Sequence, residues 1–321
     1  MRIPNIMFAL QGGSRMATVD ADVEPTPALL KVLDGVVDLH CHSGPSPFPR
    51  RLDHVEASYD GARIGMRAAL VKSHHHNTVM DLLAMGPRLT EAPTPMYGGV
   101  ALNSEVGGIN PSAVAVALTM GGRCVWGPTV SAGQHIEAHR HDDGFPHNTG
   151  NLYEQEVSVF DASGQVSQEA DLVTRLVGDA DVLLTGGHLD GESMVAWFET
   201  AHRNGVRRML IHHPDYIIKA SDQAIEKMVG LGAFVEHELS MYDPRVTAPD
   251  WPIEQLVDWI RKIGPEHTVI DSDLGQIGNP LPVDAYLLVT QQLLDHGIPA
   301  ADIRQMMCRN TAFLLGLEES N

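Results

Sequence analysis

The stretch Val36-Val37-Asp38-Leu39-His40-Cys41-His42-Ser43-Gly44 is an apolar run, short enough for a buried strand, that ends in two histidines spaced i, i+2. Alternate residues of a strand point to the same side, so His40 and His42 aim two imidazoles at one place, at the strand's carboxyl end. Neutral imidazoles converging on one point suit a metal ion such as Zn²⁺. Two solvated loop histidines account equally well for the pair taken alone, so the rest of the chain has to decide.

Outward from this stretch one unit recurs: an amphipathic helix, a glycine near its end, then four to six apolar residues. Gly65, Gly121-Gly122, Gly205, Gly232 and Gly264 mark the instances. Glycine commonly ends a helix in a left-handed conformation, and near-continuous apolar runs suit parallel strands buried on both faces. Eight strands are expected at about 36–40, 67–72, 97–102, 123–127, 181–186, 207–212, 232–237 and 268–272. Helices are expected between them at about 53–64, 77–89, 110–120, 190–204, 219–231 and 252–263, with closing helices at about 282–296 and 299–315. Alternation of β and α with eight strands favours a (β/α)8 TIM barrel over an open sheet. No GxGxxG follows any strand, which removes the commonest cofactor signature of the open sheet. Residues 1–34 read as an N-terminal extension containing a short helix at Pro27–Leu33, and residues 35–321 as the barrel. The patch Ile6–Leu10 is too short to span a membrane and has only Arg2 ahead of it, so it is not read as a signal peptide; Met16 is an alternative start.

The connection between the fourth and fifth strands, about 129–180, is too long for a simple turn. It carries His135, His139, His141, Asp142, Asp143 and His147, then an apparent hairpin, Glu156–Phe160 with Gln165-Val166, turning at Gly164. It reads as a lid over the barrel mouth.

In a barrel the carboxyl ends of the strands share one mouth, where active sites are found. The first strand ends in His40 and His42 and the second in Lys72-Ser73-His74-His75-His76. The third runs into Asn103, the fourth into Trp126-Gly127-Pro128-Thr129 and the fifth into His188. The sixth ends in His212-His213, the seventh in Glu236-His237-Glu238 and the eighth in Asp271-Ser272-Asp273. Convergence of so many ligand-type residues argues for a metal site.

The ordered set His40-x-His42, His188, His212 and Ser272-Asp273 resembles the amidohydrolase superfamily of metal-dependent hydrolases. The C-terminal Asn310-Thr311-Ala312-Phe313-Leu314-Leu315-Gly316-Leu317 looks like that superfamily's closing helix. The resemblance covers about residues 35–317 and is nearest to little-characterised members of unknown substrate. It implies that His40, His42 and Asp273 are metal ligands, and that His188 and His212 ligate metal or position the activated water. Asp273 would take a proton from that water and pass it to the leaving group. Asp271 rivals Asp273, and His213 rivals His212; His212 is preferred because it stands nearer the strand.

One departure from the superfamily pattern is plain. Two-metal members carry a carboxylated lysine or a glutamate at the end of the fourth strand, and Trp126–Thr129 offers neither. One divalent ion per chain, Zn²⁺ by preference, is therefore expected, or two if Lys72 is carbamylated. As an ammonium, Lys72 would instead bind an anionic substrate group or form a structural ion pair. His74 is the member of the histidine run expected to face the mouth, with His75 and His76 at the surface. Lys72, His74, Asn103, His135 and His139 are the candidate substrate contacts, although histidines on a polar loop are more often solvated. Asn110 is expected to cap a helix, and Cys41 to pack in the barrel wall. Glu236 and Glu238 either enter the mouth or pair with arginines.

At 321 residues and 43% hydrophobic the chain is long and apolar enough for this core, and its net charge of −19 argues against nucleic acid or an anionic membrane as partner. Three cysteines without framework spacing fit reduced thiols in the cytoplasm. The expectation is a metal-dependent hydrolase cleaving an amide, lactam or ester-type bond of a small molecule. A metal-dependent decarboxylase on the same barrel is the alternative, and a non-catalytic metal-binding protein the third reading. Outer helices leave room for a homo-oligomer.

Overall fold

The structure, a computed structural model, describes residues 23–140, 155–214, 216–246 and 251–317. The patch Ile6–Leu10, Met16, His141, Asp142, Asp143 and His147 lie outside the described residues. The strands are β1 (Val37–Cys41), β2 (Ala68–Val71), β3 (Met96–Tyr97), β4 (Gly99–Ala101) and β5 (Cys124–Trp126). They continue with β6 (Leu183–Thr185), β7 (Met209–Ile211), β8 (Phe234–Glu238) and β9 (Thr268–Asp271). Every pairing between neighbours is parallel.

β3 and β4 are two halves of the single third strand expected from sequence, one paired to β2 and the other to β5. They part at Gly98, where the helix Thr78–Thr90 comes so close that a Cβ would sit 2.8 Å from both Val79 N and Thr78 Oγ1. The Thr78 hydroxyl fills the gap, donating to Val71 O and accepting from Gly99 N at 3.0 Å each. β1 meets the end of β9 where Cys41 bridges Leu274 and His42 N donates to Leu274 O at 2.8 Å. The eight-stranded order is that of a TIM barrel.

Val37, Leu39, Ala68, Leu70, Trp126, Leu183, Leu210 and Val269 fill the interior with Ala312, Leu314 and Leu315 from the C-terminal helix. That helix is clamped by Asn310, whose Nδ2 donates to Pro265 O at 2.8 Å and Thr268 O at 2.7 Å. Two further cores lie between wall and helices, one on each half of the molecule. Leu29 and Leu33, on the helix Pro27–Leu33, belong to the first of them, so this end of the expected extension packs with the barrel.

The helices start on side-chain caps, as with Asp53 and Glu56 in a reciprocal capping box and Asn110 accepting from Ser112 N and Ala113 N. Gly205 and Gly232, at the ends of the helices Gly191–Arg203 and Asp222–Gly230, take φ of +81° and +96°, a conformation cheap only for glycine.

One irregularity positions the site. Val37 and Asp38 pair with Ala68 and Ala69, but Cys41 pairs with Val71, so β1 carries one extra residue between Asp38 and Cys41. Such a bulge reverses which face the following side chains take. Val37 and Leu39 therefore face the interior, Cys41 packs in the outer core, and His40 and His42 still turn inward.

Candidate metal centre

Three atoms meet above the apolar interior. Asp273 Oδ1 lies 3.3 Å from His40 Nε2 and 3.0 Å from His42 Nε2. Ligand atoms about a tetrahedral Zn²⁺ at ~2.05 Å stand roughly 3.3 Å apart. Each imidazole is fixed by its other nitrogen: His40 Nδ1 donates to Glu236 Oε1 at 2.9 Å, and His42 Nδ1 to Lys72 O at 3.1 Å. That tautomer leaves both Nε2 atoms with a lone pair, the usual arrangement behind a metal-binding histidine. Asp273 is set by backbone as well as by side chain, with a left-handed φ of +46° just past β9.

The histidines of the sixth expected strand sit at two depths. His213, at φ +45°, is held by Glu238 Oε1 3.0 Å from its Nδ1 and joins His40 and Asp273 in one potential ligand group. His212 contacts Glu236 through Nδ1 and forms a second group with His40, Glu236 and Glu238. The geometry thus gives His213 the place beside Asp273 that the sequence reading preferred for His212. Glu236 and Glu238 both enter the mouth. Glu236 serves two histidines at once, and nothing in the sequence pattern of β8 distinguishes that from a surface pair.

His188 Nε2 and His212 Nε2 are buried without a hydrogen-bond partner. Burial, then neighbouring charge, pushes the imidazoles of His40, His188 and His212 well below 6.5, and that of His42 down to about 4. They are neutral at pH 7, the form that ligates metal. Asp273 stays ionised, because the histidines His42 and His213 and the Lys72 ammonium outweigh its burial. Buried, orphaned imidazole nitrogens around an ionised carboxylate fit a divalent cation.

Lys72 is completely buried, its Nζ 2.9 Å from His40 Nε2, and desolvation brings its ammonium down to about 8. Asp271 is buried with both carboxylate oxygens unpartnered, and burial together with Asp38 and Glu238 raises its pKa well above the carboxylate range. Asp271 is thus the neutral acid of the pair and Asp273 the charged one.

Among the candidate substrate contacts, Asn103 has no polar atom to spare. Its Nδ2 donates to His74 O and Thr129 Oγ1, both at 2.7 Å, and its Oδ1 accepts from Thr129 N and Ser131 N. It ties the ends of three strands together. His74 Nδ1 lies 2.8 Å from Thr129 Oγ1 in that same network, with its ring facing His42. His75, expected at the surface, is buried at 7% exposure, because Phe48 from the segment after β1 covers it edge-on at 4.7 Å. His76 remains half-exposed and pairs with Asp81 at 2.5 Å.

The polar loop after β5 is in its first part a helix, Gly133–His139. His135 and His139, one turn apart, point inward and are buried, and His135 Nδ1 approaches His188 Nδ1 to 2.7 Å. Desolvation pushes the His135 imidazole down to about 2. The expected hairpin beyond it is reduced to one bridge, Phe160 to Val166, with Gly164 at φ +80° in the turn.

Arg50 escaped the sequence reading altogether. It lies in the segment after β1, its Nη2 3.3 Å from His42 Nδ1. Its place beside the histidines depends on a backbone bridge to Gln276, which no local pattern announces.

The described residues contain no helix long and apolar enough to cross a membrane. Comparison with solved structures bears on the fold. An amidohydrolase from Pseudomonas aeruginosa superposes with a TM-score of 0.60 at 15% identity, covering 90% of this chain and 98% of that one. A lactonase from Listeria monocytogenes gives 0.54 at 11% identity, with 89% and 96% covered. The L-hydantoinase (dihydropyrimidinase) of Arthrobacter aurescens gives 0.54 at 13% identity, with 88% and 71% covered. At such identities the likeness is one of fold. No curated protein sequence matches. A family described as "Family of unknown function (DUF6282)" matches residues 35–236, more than half of the sequence, and the chain belongs to that family.

Proposed function

We propose that the chain is a metal-dependent hydrolase of the amidohydrolase superfamily, acting on an amide, lactam or ester-type bond of a small molecule. The observation that carries this reading is the convergence of His40 Nε2, His42 Nε2 and Asp273 Oδ1 on one point, with every Nδ1 hydrogen committed elsewhere. His40, His42, His213 and Asp273 would hold the ion, with His188 and His212 nearby; Zn²⁺ is the ion preferred for this nitrogen and oxygen set. A divalent ion there supplies Lewis acidity and lowers the pKa of water.

The chain's own groups do the rest. Asp273, kept ionised, has its Oδ2 without a hydrogen bond among the described residues, and that oxygen takes the proton of the attacking water and returns it to the leaving group. Lys72, a donor in a dry setting, steadies negative charge that develops on the substrate carbonyl oxygen. The three cysteines are buried and unpaired, which suits a cytoplasmic setting.

A decarboxylase is the second reading, favoured by two cations, Lys72 and Arg50, acting on the ionised Asp273. Metal analysis of tag-free protein purified without chelator should find about one ion per chain, lost in the His40→Ala/His42→Ala double variant. Metal-free natural protein after reconstitution would overturn the proposal. A panel of lactams, lactones, amides and esters in ¹⁸O-water then separates the reactions. Label in the product means hydrolysis, and carbon dioxide without label means decarboxylation.

A further inference from the structure

The segment after β1 is pinned over the mouth by backbone. Gly44 N donates to Leu52 O at 2.8 Å, Arg51 N donates to Gly275 O at 2.7 Å, and Arg50 bridges Gln276 in antiparallel fashion. Gly275 and Gln276 lie two and three residues past Asp273, so this segment holds Arg50 beside the metal centre rather than at the rim.

The guanidinium it carries there is unsatisfied. Its Nε is buried with no hydrogen-bond partner, and no carboxylate pairs with it among the described residues. Its one contact at hydrogen-bond distance among the described residues is His42 Nδ1, at 3.3 Å, and the Asp273 carboxylate acts on it only from beyond ion-pair distance. With His42 Nε2 free to ligate, Nδ1 bears the hydrogen and donates to Lys72 O, so it has no lone pair to offer. Two other arginines that are buried or half-buried behave differently: Arg208 pairs with Asp181 at 2.9 Å and Arg245 with Asp243 at 2.7 Å. A half-buried cation with no salt bridge and a dry Nε is costly and persists where something else selects for it. Around Arg50 stand imidazoles, with the Asp273 carboxylate farther off. His74 and His75 lie within its electrostatic reach, and both ring nitrogens of His75 are buried without a hydrogen bond, with Glu105 Oε1 4.0 Å from its Nε2. Phe48 packs against both imidazoles and gives the pocket one apolar wall.

We propose that Arg50, with His75 beside it, is the anion-recognition end of this site, so that the substrate carries a carboxylate or phosphoryl group next to the bond that is cut. The planar fork of a guanidinium meets two oxygens of either group at once. The inference rests on the reading of the mouth as an active site, both for its position and for the tautomer of His42.

The test uses the full chain, zinc-loaded and metal-stripped, as wild type, Arg50→Met and Arg50→Lys. Inorganic phosphate, succinate and neutral succinamide are titrated by calorimetry, with metal content and melting temperature followed in parallel. Wild type should bind phosphate or succinate and not succinamide, and the anion preferred identifies the group as phosphoryl or carboxylate. Arg50→Met should lose that affinity roughly tenfold or more at unchanged metal content, with Arg50→Lys in between. Arg50→Met should also melt higher than wild type in anion-free buffer, because a half-buried charge with no salt bridge has gone. Wild type that binds neither anion, or Arg50→Met that binds as well as wild type, overturns the proposal. Failure of the hydrolase reading shows separately, as wild type that takes up no zinc.

Discussion

What His40 does is decided by the nitrogen it turns away from the cavity centre. Nδ1 gives its hydrogen to Glu236 Oε1, and the second oxygen of the same carboxylate meets His212 Nδ1. One acceptor-only side chain thus fixes the tautomer of His40 and stands against the ring of His212. In Glu236→Gln the amide offers one acceptor and one donor, so the two imidazoles no longer share it on equal terms. Metal affinity should fall roughly 10- to 100-fold, read by competition with a fluorescent chelator; unchanged affinity would remove Glu236 from this role. Lys72 poses a different question, because its Nζ touches a ligand nitrogen while Trp126 to Thr129 supply no carboxylate. Lys72→Met should keep the metal content of wild type and lower turnover on the order of ~10²-fold. Loss of half the bound metal would mean that the lysine bridges two ions as a carbamate.

At the scale of elements, close approach of backbones around β5 and β6 holds His188 in place. Gly187, at φ +61°, lies where a Cβ would come within 2.4 Å of Pro128 O and 2.5 Å of Gly127 O. Neither carbonyl is a flexible end, so Gly187→Ala should cost about 2 kcal/mol or more, measured by urea unfolding, and should displace His188. An undiminished midpoint would show that the strands part without penalty. The same scale explains what the sequence disclosed. A glycine ahead of an apolar run locates five of the wall strands, and the apolar runs alone locate the other three, because burial on both faces keeps polar residues few outside the site ends. Alternation identifies His40 and His42 as partners, yet the bulge before Cys41 is invisible, since an extra residue changes the register and not the composition. The helix Gly133–His139 is hidden for the opposite reason. Its inward face is built of His135 and His139, so it presents no apolar period and looks like a loop. Arg50 is similarly illegible, because its position depends on a backbone bridge to Gln276, far away in sequence.

For the whole molecule, the buried neutral histidines make stability depend on pH. His42 and His75 are each brought down to about 4 from 6.5, so as pH falls from 6.5 toward 4 the unfolded chain takes up protons that the native chain refuses. Stability is therefore full above about pH 6.5 and is lost on acidification through that window. Protonation also expels a bound metal, in the same direction. The urea midpoint should be lower at pH 5 than at pH 7, and chelator should lower it at pH 7 but add little at pH 5; a flat profile would mean that these imidazoles are not buried neutral.

The floor of the barrel has its own consequence. Ala312, Leu314 and Leu315 plug the end opposite the metal centre, and Asn310 locks that plug to the start of the strand that leads to Asp273. Among the described residues that end is closed, so small molecules pass in both directions through the doorway at the strand ends. A product that lingers there stands in the path of the next substrate, so inhibition by product should be competitive, and the rate of clearing the doorway sets a ceiling that no improvement of the chemistry can lift.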